Sequence, residues 1–266
     1  KLIKVFSSYI AIGDSFTEGL GDPRPDGSLR GWADRVAAGF ANGYSASPDG
    51  TNRPFRYANL AIRGRKLGPI IAEQLQPALA QSPDVMSFNA GGNNMLRPKF
   101  DPAESIDQIV EAVEEIRVTG THVLLLAGPD PVNNLPMGHV FSSRGEQYTE
   151  LATNAVAGMD GVTFVDNFND LAFRDSTYWS EDGLHLSPSG HLRVAANCLD
   201  ALGISYPNDW ADPHYPVPDP KNYRTPAYFN TYITPWIGRR LTGRSSGDGR
   251  MAKRPLLSEF RAEYDL

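Results

Sequence analysis

Along the first 203 residues, short apolar runs alternate with longer stretches whose apolar positions recur every three or four residues. The short runs have the length and period of strands, and the longer ones those of amphipathic helices. The pattern predicts a first strand ending with Tyr9–Ile12 and further strands at Arg56–Ala61, Asp84–Asn89, Thr121–Ala127 and Val162–Asp166. Between them it predicts helices at Trp32–Asn42, Leu67–Leu79, Ala103–Thr119 and Ser143–Met159. A last helix is expected to be capped by Ser187, with Pro188 in its first turn and Gly203 as its stop. Strict alternation with short connections implies right-handed crossovers, and hence an α/β fold whose parallel sheet carries helices on both faces.

From about Ile204 the pattern breaks. Eight of the 21 prolines lie beyond it, interleaved with Trp210, Tyr215, Tyr223, Tyr228, Phe229, Tyr232 and Trp236, so residues 204–266 read as an irregular extension rather than a second core. Large aromatic side chains are costly to leave in water, by roughly 1.5–3 kcal/mol each. The extension is therefore expected to pack on the domain formed by residues 1–203 or on a partner subunit, with a homo-oligomer as one consequence. Its basic stretch, Arg239, Arg240, Arg244, Arg250, Lys253 and Arg254, reads as a solvated and more mobile segment.

A net charge of −6 argues against a nucleic-acid partner, which would call for a basic field. The longest apolar run, around Val123–Ala127, is far short of the roughly 20 residues of a membrane span, so no integral membrane segment is expected. A single cysteine excludes an internal disulfide framework and a multi-cysteine zinc site. Lys1–Phe6 carries no signal-peptide pattern, and a cytoplasmic location is expected. The chain opens on Lys rather than Met, as a trimmed N-terminus would.

The chemistry-bearing residues follow the strands. Gly13-Asp14-Ser15-Phe16-Thr17-Glu18-Gly19 stands where the first strand ends and a helix should begin, the edge at which open parallel sheets gather ligands. Ser15 there is either a helix cap or a nucleophile. Asp182-Gly183-Leu184-His185 precedes the last helix. An Asp three residues before a His can hold the Nδ1 proton and leave Nε2 to take a proton from a hydroxyl, although a surface turn would give the same spacing. Gly91-Gly92-Asn93-Asn94 after the third strand and Gly64 after the second can offer donors to a developing oxyanion, or can be turn residues only. The order of these elements on one sheet edge is what a turn reading does not explain. Asp14 is read as bracing its turn through backbone hydrogen bonds. His122, His139, His191 and His214 show no metal-ligand spacing, and Cys198 reads as a buried small hydrophobe.

The four separated blocks resemble those of the GDSL esterase/lipase family in its SGNH hydrolase form. The resemblance covers about residues 7–203 and departs from the usual pattern at Asn94, where Asp is common. It implies a flavodoxin-like three-layer α/β/α sandwich around a five-stranded parallel sheet. It further implies Ser15 as nucleophile, His185 as base and Asp182 as acid, with the Ser15 and Gly64 backbone N–H groups and the Asn93 side chain as oxyanion hole. No metal or organic cofactor is implied, and the partner is a small-molecule ester.

The leading expectation is a serine esterase for small to medium acyl groups. The alternatives are a carbohydrate O-deacetylase or acyltransferase using the same residues and, more remotely, a non-catalytic flavodoxin-like binding module. A nucleotide or flavin binder would want Gly-x-Gly-x-x-Gly after its first strand, where this chain places Asp14. Loops Met95–Pro102 and Asp130–Ser142, with Met95, Leu96, Phe100, Leu135 and Met137, are expected to give the pocket an apolar wall.

Overall fold

A computed structural model describes residues 5–47, 53–135, 138–211, 225–235, 238 and 244–262. Lys1–Lys4, Met137, His214, Tyr215, Tyr223, Trp236, Arg239 and Arg240 lie outside the described residues. The five expected strands form as β1 (Ser8–Ile12), β2 (Arg56–Asn59), β3 (Val85–Phe88), β4 (His122–Ala127) and β5 (Val162–Asp166). All four pairings among them are parallel, in the order β5-β4-β3-β1-β2. A sixth strand, β6 (Arg254–Glu259), pairs antiparallel with β2 and closes that edge. The five-stranded parallel sheet thus stands as expected, and the extension, read as irregular, adds a strand to it.

The helices are α1 (Ser15–Glu18), α2 (Trp32–Ser45), α3 (Leu67–Ile70), α4 (Gln76–Leu79), α5 (Gly92–Met95), α6 (Pro102–Arg117), α7 (Gly138–Val156), α8 (Pro188–Leu202) and α9 (Pro226–Tyr228). A π-helical stretch, Ile71–Leu75, joins α3 to α4, so the expected helix Leu67–Leu79 is continuous but widened in its middle. α7 starts at Gly138 rather than Ser143, at a point where the chain is so close that a Cβ on Gly138 would lie 2.1 Å from the Val132 carbonyl oxygen. α8 keeps its expected limits. Ser187 accepts from the Gly190 N–H, Pro188 opens the helix, and Gly203 ends it at φ 71°.

The period-2 alternation of the strands divides the core into two layers. Tyr9, Ala11, Val85, Leu124 and Leu126 face α2 and α8, whereas Ile10, Ile12, Met86, Phe88 and Val123 face α3, α4, α6 and α7. α2 and α8 pack closely because Gly39 leaves room for Leu199; a Cβ there would lie 2.6 Å from Leu199 Cδ1. β1 is followed in chain order by its neighbour β2, and the chain then crosses back to β3 on the other side. That reversal opens a crevice at the carboxyl ends of β1 and β3, and Ser15 stands at its lip.

The described residues after Gly238 are more firmly held than their composition suggests. Phe260 is buried and makes edge-to-face contacts with Tyr57 and Phe55 at 5.3 and 6.5 Å. Lys253, read from its basic neighbours as mobile, donates from Nζ to the carbonyl oxygens of Leu29 and Arg30 and to Asp34 Oδ2, at 3.2, 2.6 and 3.0 Å. Three fixed acceptors make an inward seat preferable to solvent, and burial lowers the lysine pKa against the raising influence of Asp34. Among the described residues, no helix is long and apolar enough to cross a membrane.

Candidate active site

Leaving β1, the chain turns through Gly13 at φ 157° into the single turn of α1. Asp14, not Ser15, caps that turn. Its Oδ1 accepts the Phe16 N–H at 3.1 Å, as expected of a residue bracing the turn. The cap is thereby filled, and the Ser15 hydroxyl is left to meet His185. The Ser15 Oγ to His185 Nε2 distance is 3.0 Å, across 170 residues of sequence.

On the far side of the imidazole, Nδ1 lies 2.5 Å from Asp182 Oδ2. The other oxygen, Oδ1, accepts the backbone N–H groups of Leu184 and His185 at 2.9 Å each and the Ser180 hydroxyl at 2.7 Å. Burial pushes the Asp182 carboxyl up, but the bonds and charge of His185, with the Ser180 hydroxyl, outweigh it and hold the group well below the ordinary carboxylate range. An ionised Asp182 accepts the Nδ1 proton, which leaves the Nε2 lone pair facing Ser15.

The three groups expected to cradle an oxyanion lie around Ser15, but they are not equally free. Gly64 takes φ 74°, a left-handed turn after β2. Gly64 and Asn93 line one cleft with Ser15 and His185. The Asn93 amide donates to Asp14 Oδ2 at 3.0 Å and to the Arg65 carbonyl at 2.9 Å. Both of its N–H groups have acceptors, so it serves an oxyanion only by sharing or exchanging one of them. Burial raises the Asp14 carboxyl to about 6 despite these donors and the nearby His185. Asn94 Oδ1 accepts the Leu67 N–H at 2.9 Å, where α3 begins. An amide oxygen does this as a carboxylate would, so Asn in place of Asp leaves the geometry intact.

Two compartments meet at Ser15, His185, Asn93, Leu96 and Leu184. The first has apolar walls that include Met95, Pro131, Phe141, Phe168 and Trp179. The second is walled by Gly64, Arg97, Arg244, Ser245 and Ser246. Of the expected apolar wall, Met95 and Leu96 line the first compartment, whereas Phe100 packs beneath it on Tyr148 at 6.2 Å.

Several supporting residues carry no local sequence signal. Tyr148 donates to the Ala90 carbonyl at 2.7 Å and so fixes the entry to Gly91-Gly92-Asn93. Arg144 donates to the carbonyls of Met95 and Arg97 at 2.5 and 2.8 Å. Tyr228, in α9, donates to the Asp182 carbonyl at 2.8 Å. Of the other histidines, His139 is exposed on α7, His122 Nε2 lies 2.9 Å from Thr163 Oγ1, and fully buried His191 accepts the Trp32 N–H on Nδ1 at 3.1 Å. His191 Nε2 therefore carries the proton, donated to the Leu20 carbonyl at 2.9 Å. Burial lowers its pKa to about 4. Cys198 is buried, and burial pushes its thiol up, away from reactivity. Among the described residues, no group of three or more His, Cys, Asp or Glu is arranged to hold a metal ion.

Residues 11–193 match the model of the GDSL-like lipase/acylhydrolase family. Three solved structures share the fold at low identity. TesA is 22% identical, with a TM-score of 0.57 over 73% of this chain and 97% of its own. A catalytic mutant of Axe2, an acetylxylan esterase from Geobacillus stearothermophilus, is 20% identical, with a TM-score of 0.58 over 75% and 95%. The lipase Lip_vut3 from a goat rumen metagenome is 18% identical, with a TM-score of 0.59 over 74% and 98%. No curated protein matches the sequence.

Proposed function

The chain belongs to the GDSL-like lipase/acylhydrolase family and is an ester-hydrolysing serine hydrolase; we propose that Ser15, His185 and Asp182 are its catalytic triad and that it cleaves esters of small to medium acyl groups. The carrying observation is the unbroken relay from Ser15 Oγ to His185 Nε2 at 3.0 Å and from Nδ1 to Asp182 at 2.5 Å. A serine hydroxyl is a weak nucleophile at neutral pH until a base takes its proton. His185 Nε2 accepts that proton as Oγ bonds to the ester carbonyl carbon, while Asp182 holds the resulting imidazolium. The Ser15 and Gly64 backbone N–H groups and the Asn93 amide stabilise the oxyanion.

Collapse breaks the bond to the leaving oxygen, to which His185 returns the proton. His185 then deprotonates water, whose oxygen attacks the acyl-enzyme; the C–Oγ bond breaks, His185 passes the proton to Ser15 Oγ, and the carboxylic acid leaves. The apolar compartment beside Ser15 suits the acyl limb. Because one structure of the same fold is an acetylxylan esterase, removal of acetyl groups from carbohydrates is the second reading within this chemistry.

A panel of p-nitrophenyl esters of graded chain length, run beside acetylated sugars, tests the function. A serine-directed fluorophosphonate tests the nucleophile and should label Ser15 alone. Labelling elsewhere, with hydrolysis intact in Ser15→Ala, would overturn the assignment.

A further inference from the structure

The second compartment is built partly by the segment after α8. Its turn 244–249 docks on the turn after β2 through two glycines. A Cβ on Gly64 would lie 2.3 Å from Ser245 Oγ, and one on Gly247 would lie 2.1 Å from the Arg63 carbonyl oxygen. Such close approach fixes the turn against Gly64, and the three hydrogen bonds of Lys253 hold it from behind. The turn places Arg244, Ser245 and Ser246 on one wall of the cleft, while Arg97, following α5, stands on it from the other side.

The charges there do not cancel. Asp248 is already engaged, accepting the Ser245 N–H at 2.7 Å and facing Arg65 at 3.6 Å. Glu73 pairs with Arg65 at 2.8 Å, and Glu18 is bonded to the Arg63 N–H at 2.7 Å and to its guanidinium. Among the described residues, neither Arg97 nor Arg244 has a carboxylate partner. Two cations and two hydroxyls therefore face a cleft that also holds the Ser15 hydroxyl and the His185 imidazole. An anionic group offers such a wall both charge and hydrogen-bond acceptors.

We propose that this compartment binds the alcohol limb of the ester and selects alcohols that carry an anionic group, a carboxylate, phosphate or sulfonate, within reach of Arg97 and Arg244. The inference rests on the esterase reading above, with the acyl limb in the apolar compartment. Arg97 and Arg244 act as specificity determinants and take no part in bond making.

The test compares kcat/KM for ester pairs that differ in one charge, using the full chain and following acid release by titration. The butyrate ester of 3-hydroxypropanoate is set against propyl butyrate, and monoethyl succinate against ethyl butyrate. At low ionic strength the first pair should favour the anionic alcohol by about tenfold, as two partly exposed ion pairs would give. The preference should shrink in about 0.5 M salt, where screening is strong. It should fall severalfold in Arg97→Gln and in Arg244→Gln, and persist in Arg97→Lys and Arg244→Lys. The ratio within each variant is the readout, so a general loss of activity cancels. Hydrolysis of propyl butyrate without any anion preference, or with one that neither Gln variant alters, would overturn the proposal and leave the esterase reading standing. A preference confined to monoethyl succinate would overturn the assignment of limbs. No hydrolysis of any ester, with Ser15 unlabelled by fluorophosphonate, would remove the esterase reading and this inference with it.

Discussion

The phenolic hydroxyl of Tyr228 donates to the backbone carbonyl of Asp182 at 2.8 Å, so a residue from beyond the last core helix steadies the loop that carries the proposed catalytic acid. A neutral hydrogen bond of this kind contributes about 1 kcal/mol. Tyr228→Phe keeps the ring and removes only the bond. It should lower kcat about fivefold with KM little changed, read from steady-state kinetics on a p-nitrophenyl ester. An unaltered kcat would mean that the Asp182 loop holds itself.

Removal of Ser15 or His185 should be far more damaging than removal of Asp182. Where three residues act as one unit, loss of nucleophile or base costs on the order of 10⁶ in kcat, and loss of the acid about 10⁴. Ser15→Ala and His185→Ala should accordingly retain only background turnover. Asp182→Asn should keep measurably more, because the backbone still holds the loop. Single-turnover rates on an activated ester distinguish these ranks, and circular dichroism should show all three variants folded.

His191 gives the fold a defined response to acid. It is fully buried, and its pKa falls from 6.5 to about 4. An unfolded chain would bind this proton first, so acidification from about pH 6.5 to about 4 costs folded stability, by about 3 kcal/mol for the full shift. Asp14 has the opposite sign, since its carboxyl, raised to about 6, gains stability over the same descent. His191→Asn, which retains an acceptor near Nδ1, should melt below the wild type at pH 7. The gap should narrow as the pH drops, because the variant keeps the Asp14 gain without the His191 loss. Thermal melts at several pH values decide; a constant gap would contradict the assignment.

Phe260 should matter as much as a residue of the central core. Truncating a buried Phe costs about 3–5 kcal/mol, so Phe260→Ala should lower the melting temperature by roughly 6–20 °C. A chain ending at Gly203 should expose the β2 edge and aggregate. A chain ending at Gly238 also lacks β6, Lys253 and Phe260 and should do little better, which light scattering and calorimetry would reveal.

Much of the fold was legible because its signals are local. Apolar period placed five strands within two residues or so of their observed ends, and Ser187, Pro188 and Gly203 bound α8 as their chemistry requires. The candidate site was legible for a related reason. Ser15, Gly64, Asn93 and His185 each follow a strand or precede a helix on one sheet edge, so topology alone brings them together. What escaped is remote in sequence or ambiguous in composition. β6 reads Arg-Pro-Leu-Leu-Ser-Glu, and a proline in a short mixed run argues against a strand unless the strand is an edge. Lys253 stands in a basic stretch whose ordinary meaning is solvent, and only the acceptors near Leu29 and Asp34 reverse it. Neither the Tyr228 bond to Asp182 nor the docking of Ser245 on Gly64 has any signature within its own neighbourhood.

The antiparallel pairing of β2 with β6 joins Arg56 to Glu259 and Tyr57 to Ser258 across about three quarters of the chain. Loop closure over so long a separation comes late, because its entropy must be lost before the contact returns anything. The parallel core has its own helices and can assemble first, with β2 as a bare edge able to pair with another molecule's strand. Arrival of β6 ends that exposure and, through the turn seated on Gly64, completes the cleft in the same motion. Refolding should thus pass through a stage with nearly full helical signal and an incomplete cleft, in which any ester hydrolysis lacks the anion preference, and the yield of active protein should fall as concentration rises during that interval.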